Sequence, residues 1–292
     1  MNNLPSTIGT WEIIGPEKAA EYLKSNINNR PLGMHVVKNY AYQMKNGEWL
    51  PDVIDAIAFD TRGRLRNGQH RLQAVIMSGV SIPFLVQRNV PDTYFDYVDT
   101  GKARMVSDII NIPDPKTVAP GARVIAAFKA GATSLSSAAR GRLDGTHTEL
   151  SNRTIKAEVE ENPSFYTEMA SIVRRVYNRT RLVSKRSLMI VACVANFCDR
   201  GEKINEFVEE LATNDEGNRT VIRFQKYLFQ QKAGDSPATR DNDVRVLLYA
   251  YDCYRTGKEL KQFKKASIDI VQKEYETLAV LKVQKLREEV DA

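Results

Sequence analysis

Nowhere in the 292 residues does an apolar run reach the 18 or so residues that a membrane-crossing helix needs, so no span is expected. The opening residues are polar and lack the basic-then-apolar pattern of a secretory signal. Cysteine is scarce. Cys193, Cys198 and Cys253 form an odd set with no paired spacing, which argues against a disulfide framework and against a zinc centre and fits a reducing cytoplasm. Cys193 and Cys198 fall in an apolar helical run and are expected in a core. Histidine is as rare, and His35, His70 and His147 stand apart without the neighbouring ligands zinc requires. There is no internal repeat and no long low-complexity tract. Beyond Pro113 strand-like patterning is absent.

What is present is the composition of a soluble globular chain, 42% apolar and 27% charged, long enough for one large or two ordinary domains. The net charge of +6 is uneven: residues 1–100 carry 10 basic and 10 acidic side chains, residues 101–190 carry 15 and 8, and residues 191–292 carry 17 and 18. The excess in the middle third suits an anionic partner, or simply a solvated helix surface.

The periodicities predict an α+β N-terminal part. Residues 11–14 read as a strand. Gly15-Pro16-Glu17 opens a helix, with proline in the first turn. Asn28-Asn29-Arg30-Pro31 breaks it, and a second helix runs from His35 to Lys45, ended by Asn46-Gly47. Strands follow over Val53–Phe59, from Leu65 and over Ile82–Gln87, where Pro83 suggests an edge or strand-start position. Asp60-Thr61-Arg62-Gly63 reads as a hairpin turn, Pro91-Asp92 as a helical turn through Tyr97, and Ala103–Ile110 as a short helix. Trp49 is expected in the core. Pro113-Asp114-Pro115 is the best candidate boundary, giving domains 1–112 and 113–292. The second is expected to be helical over 116–130, 151–161, 164–180, 185–199, 203–212, 219–231, 239–256 and about 267–290. Residues 131–150, rich in Gly, Ser, Ala and Arg, look like a mobile loop.

Gly68-Gln69-His70-Arg71 lies between a strand and a helix. The first amides of a helix have no partner within it and favour anions, and a glycine there lets a ligand approach the backbone. The pattern alone equally describes an ordinary helix start. Asp99-Thr100-Gly101 sits at another strand-to-helix turn, where Asp99 could hold a metal or orient a nucleophile, or only cap the helix. The run Arg174-Arg175-Val176-Tyr177-Asn178-Arg179-Thr180-Arg181, then Lys185-Arg186, offers cations for phosphates and a ring for stacking. The plain alternative is the solvated end of a helix, where basic residues suit the dipole. Arg140, Arg142 and Arg153 could extend that patch.

The order Asn-Asn-Arg-Pro, helix, Gly-Glu-Trp, strand, Phe-Asp-x-x-Gly-x-Leu, x-Asn-Gly-Gln-His-Arg-Leu, helix, Ile-Pro-Phe-Leu-Val resembles the ParB/sulfiredoxin-like superfamily over roughly residues 8–112. It is most similar to the phage-encoded branch with a Gly-Gln-His-Arg motif, whose members are labelled ParB-like nuclease domains. The resemblance implies a small mixed-sheet domain that holds nucleotide phosphates, of ATP or CTP with Mg²⁺, between two motifs, and a cytoplasmic site of action, that of the host if phage-encoded. Asn29 and Arg30 fall at the first motif, with Arg30 as a phosphate clamp. Asn67, Gly68, Gln69, His70 and Arg71 fall at the second, and Thr100 and Gly101 flank Asp99 as in that branch. Sulfiredoxins carry a catalytic cysteine where this chain has Gln69, so their thiol chemistry is excluded here. DndB-like proteins and the phage branch usually carry aspartate where Asn67 stands, and asparagine binds magnesium less well and cannot act as a base.

The expectation is therefore a nucleotide-binding protein acting in a DNA context, by NTP-dependent phosphoryl transfer or hydrolysis or by DNA cleavage, with Asp99 and His70 as catalytic residues and Asp99 as the metal ligand. The expected partners are the nucleotide and, through the helical domain, DNA, with a homodimer allowed for and no membrane. The rival is a non-catalytic DNA-binding or regulatory protein that only senses a nucleotide. A structural protein that kept the fold and lost the ligand is a third.

Overall fold

The computed structural model describes residues 8–27, 29, 31–50, 55–91, 105–144, 149–213, 218–233 and 240–291. The chain is α+β and divides into two compact units, Met1–Ala103 and Arg104–Ala292. No helix among the described residues is long and apolar enough to cross a membrane.

The first unit runs β1 (Ile8–Ile14), α1 (Pro16–Leu23), α2 (Met34–Lys45), β2 (Ile57–Asp60), β3 (Leu65–Asn67), α3 (Gln69–Ser78) and β4 (Ile82–Val90). Its mixed sheet has the order β1-β4-β2-β3. β1 and β4 pair antiparallel from Ile8↔Arg88 to Ile14↔Ile82. β2 joins β4 in parallel and β3 antiparallel. The three helices bury their apolar stripes with the inward residues of the sheet. Val37, Ala41 and Met44 of α2, spaced by helical turns, meet Leu72 and Val75 of α3 and Ile57, Phe84 and Val86 of the strands. Trp49 packs on this cluster and against Tyr40 and Phe84, as expected of a core residue.

Of the two positions that Pro83 suggests, the strand start is the one found. β4 is an inner strand, so Pro83 does not mark an edge; it is the second residue of β4, opposite Ile13, and β2 joins only from Val86 on. A proline is tolerated there because the ladder on the second side has not yet begun. Asp60 is the turn residue expected: its buried carboxylate accepts the Arg62 and Arg64 amides, each at 2.9 Å, and the Arg64 Nε at 2.6 Å. Gly63 supplies the positive φ of 73° that the turn needs. Residues 53–54, the turn read over 92–97 and His147 lie outside the described residues.

The second unit begins with a 3₁₀ turn, Val106–Asp108, in place of the short helix read over 103–110. Val106 and Ile110 lie in the helical core, so this segment packs with the second unit. There follow α4 (Pro115–Lys129), α5 (Leu135–Arg140), α6 (Asn152–Glu161), α7 (Pro163–Thr180), α8 (Lys185–Phe197), α9 (Ile204–Glu210), α10 (Arg219–Ala233), α11 (Arg240–Thr256) and α12 (Lys265–Asp291). Every residue of α8 from Ser187 to Ala195 is buried, which makes it the central helix. α4 lies close along it: a Cβ on Gly121 would come within 2.5 Å of Cys193 Sγ. All three cysteines are buried, and burial raises the thiols, that of Cys198 to about 12, so none is a ready nucleophile.

The loop read over 131–150 is also corrected, since it contains α5. Ser134 caps that helix by accepting the Ser137 amide, Asp144 accepts the Thr133 and Ser134 hydroxyls, and Gly141, at φ 70°, ends it. Leu135, Ala138 and Ala139 are buried. Six residues with a few small apolar ones are too short a pattern to stand out from a loop.

Candidate functional site

The β3–α3 corner is built around Gly68. Its φ of 103° lies in the left-handed region, and a Cβ there would sit 2.3 Å from Ile57 Cδ1. Two requirements thus converge on glycine: a conformation that L side chains avoid, and close packing against β2. The space beside the Gly68 Cα is filled by Ile57 rather than left for a ligand. Leu72 N–H donates to Gly68 O at 3.0 Å and closes the first turn of α3. That helix starts with no capping side chain and no acid in its first turn.

The motif side chains fan out to three different segments. Gln69 is buried, and its Oε1 accepts from Asn26 Nδ2 at 3.0 Å. Asn29 donates through Nδ2 to Asn26 Oδ1 at 2.5 Å and to Leu65 O at 2.6 Å, so the segment after α1 is laced to β3 and α3. His70 Nε2 accepts the Gly33 amide at 3.0 Å. Gly33 is the N-cap of α2 and has no side chain of its own to cap it, so His70 serves that helix from outside. An imidazole nitrogen that accepts in this way carries no hydrogen of its own.

Arg71 is 5% exposed, and its fork is committed within the fold. Nη1 donates to Asp55 O, and Nη2 donates to Ala56 O and pairs with Asp55 Oδ1, both at 3.1 Å. Asn67 reaches the same place, with Nδ2 on Asp55 Oδ1 at 2.5 Å and Ala56 O at 3.2 Å. Asp55 is thus the carboxylate of this corner, its side chain 51% exposed. In the sequence it lies inside an apolar run, 54–59, and nothing beside it marks a site. Its one available signal was an acid placed shortly before a strand whose neighbour carries the motif.

A cleft of about 480 Å³ opens in the same unit, lined among others by Tyr22, Lys24, Ser25, Phe59, Arg88 and Asn89. Ser25 also accepts the Leu65 amide at 2.8 Å, so the segment that walls the cleft continues to Asn26 and Asn29 at the corner. Beside the cleft, burial alone would push the Glu12 carboxyl up; hydrogen bonds from Arg88, Lys18 and Tyr22 overcome it and hold the group at about 2. The Arg88 guanidinium lies 5.8 Å from the Tyr22 ring centre and 5.7 Å from that of Phe59. Asn89 takes a left-handed φ of 58° at the cleft wall, a conformation uncommon outside glycine.

Arg30, Asp99, Thr100 and Gly101 lie outside the described residues. The structure therefore brings together Asn29, Gln69 and Asn26, and separately Asn67, Arg71 and Asp55, on either side of the start of α3. No group of three or more His, Cys, Asp or Glu side chains forms a metal-binding arrangement among the described residues.

In the second unit the basic run divides. Arg174 and Arg179 are exposed and make no ion pair among the described residues, whereas Arg175 pairs with Glu209. Arg181 caps the end of α7 at φ 51°. Lys185 Nζ lies 5.4 Å from the centre of the half-buried Tyr177 ring, so one face of that ring is already occupied by a cation, and 3.9 Å from Asp114. Arg186 donates to Ala139 O at 3.0 Å. Of the cations expected to extend the patch, Arg142 pairs with Glu149 at 2.6 Å, and Arg140 and Arg153 are exposed.

No known family model matches the chain, and neither a curated protein nor a solved structure is detectably similar to it.

Proposed function

We propose that the first unit holds the phosphates of a nucleotide, ATP or CTP, at the start of α3, and that the protein acts on or at DNA through its helical unit. The observation that carries this reading is the start of α3: ten residues of helix, no side-chain cap and no acid in the first turn, entered through a left-handed glycine. Such an end presents backbone donors and a positive dipole to an anion. The motif side chains position it. Arg71 and Asn67 fix the chain before β2, His70 fixes the start of α2, and Gln69 with Asn26 and Asn29 fixes the loop between α1 and α2. The cleft along Ser25, in the same unit, has the size of a small-ligand pocket. The resemblance to the ParB/sulfiredoxin-like superfamily points the same way.

Of the two versions, the non-catalytic one is better supported. His70 Nε2 is taken up by the hydrogen bond from the Gly33 amide, and Asn67 supplies no carboxylate. The protein is then a nucleotide-sensing DNA-binding or regulatory protein. Asp55 favours the enzymatic version, in which NTP hydrolysis, phosphoryl transfer or strand cleavage would use Mg²⁺. That ion is commonly held by one or two carboxylates together with substrate phosphates, and Asp55 is an exposed carboxylate beside the corner. Asp99 would be the second.

Incubating the intact protein with ATP or CTP and magnesium, with and without DNA, separates the versions. Saturable nucleotide binding without turnover is expected. Turnover or strand cleavage that Asp55→Asn abolishes would establish the enzyme instead, and no binding of either nucleotide would overturn the phosphate corner.

A further inference from the structure

The second unit carries a basic site that the run in α7 does not include. Arg123 lies on α4, two residues beyond the close contact between Gly121 and Cys193 of α8. Its aliphatic stem lies under the turn that ends α5: a Cβ on Gly141 would be 2.9 Å from Arg123 Cδ and 3.0 Å from Cγ. Arg186, in the first turn of α8, reaches the same turn and donates to Ala139 O at 3.0 Å. Two guanidinium side chains from different helices thus rest on one short stretch, Ala139–Gly141.

Arg186 has a carbonyl partner. Arg123 is half-buried and makes no hydrogen bond or ion pair among the described residues. The acid that acts on it is Glu149, and that carboxylate is bonded by Arg142 through both Nε and Nη2, at 3.0 and 2.6 Å. Burial, and then repulsion from Arg186, depress the Arg123 guanidinium below its usual range, while Glu149 opposes the shift. A half-buried cation repelled by another cation, with Glu149 Oε1 taken by Arg142, has no bonded anion among the described residues.

We propose that Arg123 and Arg186 together bind a phosphate group at the α5–Gly141 turn. Two planar forks from two directions suit the tetrahedral oxygens of a phosphate better than a single carboxylate. The phosphate is either one in a DNA strand that crosses the α7–α8 surface or a free polyphosphate. The first source rests on the reading of the helical unit as DNA-binding.

The test uses the full chain, Arg123→Gln and Arg123→Lys, a short DNA duplex and inorganic tripolyphosphate. Thermal melts come first, and Arg123→Gln is expected to melt no lower than the parent because no partner is lost. With DNA as the source, Arg123→Gln weakens duplex binding about tenfold and lowers the salt slope by about one, and Arg123→Lys recovers part of both. With a free polyphosphate as the source, duplex binding is unchanged, while the rise in melting temperature that tripolyphosphate gives the parent shrinks in Arg123→Gln and partly returns in Arg123→Lys. If the parent binds DNA and tripolyphosphate and both variants behave like it, this site is overturned and the DNA reading stands. If the parent binds neither, both fail. Should Arg123→Gln melt markedly lower, Arg123 is a structural cation and the proposal is likewise overturned.

Discussion

Arg71 of the α+β unit and Arg123, Arg174 and Arg179 of the helical unit are placed in opposite ways. In the α+β unit Arg71 is 5% exposed and spends its fork on the backbone of Asp55 and Ala56. Among the described residues of the helical unit, Arg174 and Arg179 stand in solvent without an ion pair, and Arg123 is half-buried with no hydrogen bond. The small unit has the smaller core, and polar side chains tie its loops to the corner. The helical unit has a large apolar core around α8 and, beside internally bonded arginines such as Arg175 and Arg186, carries exposed Arg174 and Arg179. A basic residue is thus evidence of binding only after its internal partners have been counted.

The comparison can be broken at its tight glycines, where the largest effects are expected. Gly68→Ala combines a left-handed conformation with overlap onto Ile57 and should cost about 3 kcal/mol. Gly121→Ala meets Cys193 and Met189 in an ordinary helical conformation and should cost about 2 kcal/mol. Both tryptophans, Trp11 and Trp49, belong to the first unit, so fluorescence during urea unfolding reports that unit, while far-ultraviolet circular dichroism is dominated by the helical one. Gly68→Ala should move the fluorescence midpoint, and Gly121→Ala the dichroism midpoint.

Next in size is Arg71→Ala, expected to destabilise the first unit by about 2 kcal/mol, because Asp55 O loses the Arg71 donor, Ala56 O loses one of two, and the Asp55 carboxylate loses its cation. Arg71→Lys should recover less than half of this, since an ammonium cannot reproduce the fork. Arg174→Ala should stay within about 0.5 kcal/mol of the parent, as exposed substitutions do. Equal losses for Arg71→Ala and Arg174→Ala would erase the contrast.

A smaller effect is the pH dependence from Glu12. Its carboxyl is held at about 2 in the fold against an ordinary 4.5, so its contribution is fully present above about pH 4.5 and is lost as pH falls towards 2. In acid titrations followed by fluorescence, Glu12→Gln should flatten that window by on the order of 1 kcal/mol after solvent screening. The smallest effect concerns stability least and binding most: Arg174→Gln and Arg179→Gln should leave both melts unchanged and each lower the salt slope of DNA binding by about one.

Much of the fold was legible because periodicity is local. α2 is marked by Val37, Ala41 and Met44, α8 by its unbroken apolar run, and the β2–β3 turn by Asp60 and Gly63. α5 was hidden because six residues hold too few turns to show a period. Pro83 was legible as a strand-start residue but not as edge or interior, because which strand lies at the edge depends on the order of pairing, which no local pattern carries. At the corner, the motif Gly68–Arg71 was legible as a helix start with polar company. Its commitments were not, because Asn26–Gln69, Gly33–His70 and Asp55–Arg71 span 43, 37 and 16 residues. Asp55 carries no local mark that sets it apart from a surface acid, and Arg123 acquires its situation only when α4, α5 and α8 come together.

The central claim is that nucleotide phosphates are held by the backbone at the start of α3 while the motif side chains hold the fold. The most direct measurement follows the amide resonances of Gln69, His70 and Arg71 by nitrogen-15 NMR while the intact protein is titrated with ATP, CTP and tripolyphosphate in magnesium. The account predicts that these amides shift together and saturate with a nucleotide and with tripolyphosphate alone. Amides that stay in place at millimolar concentrations of all three ligands would contradict it.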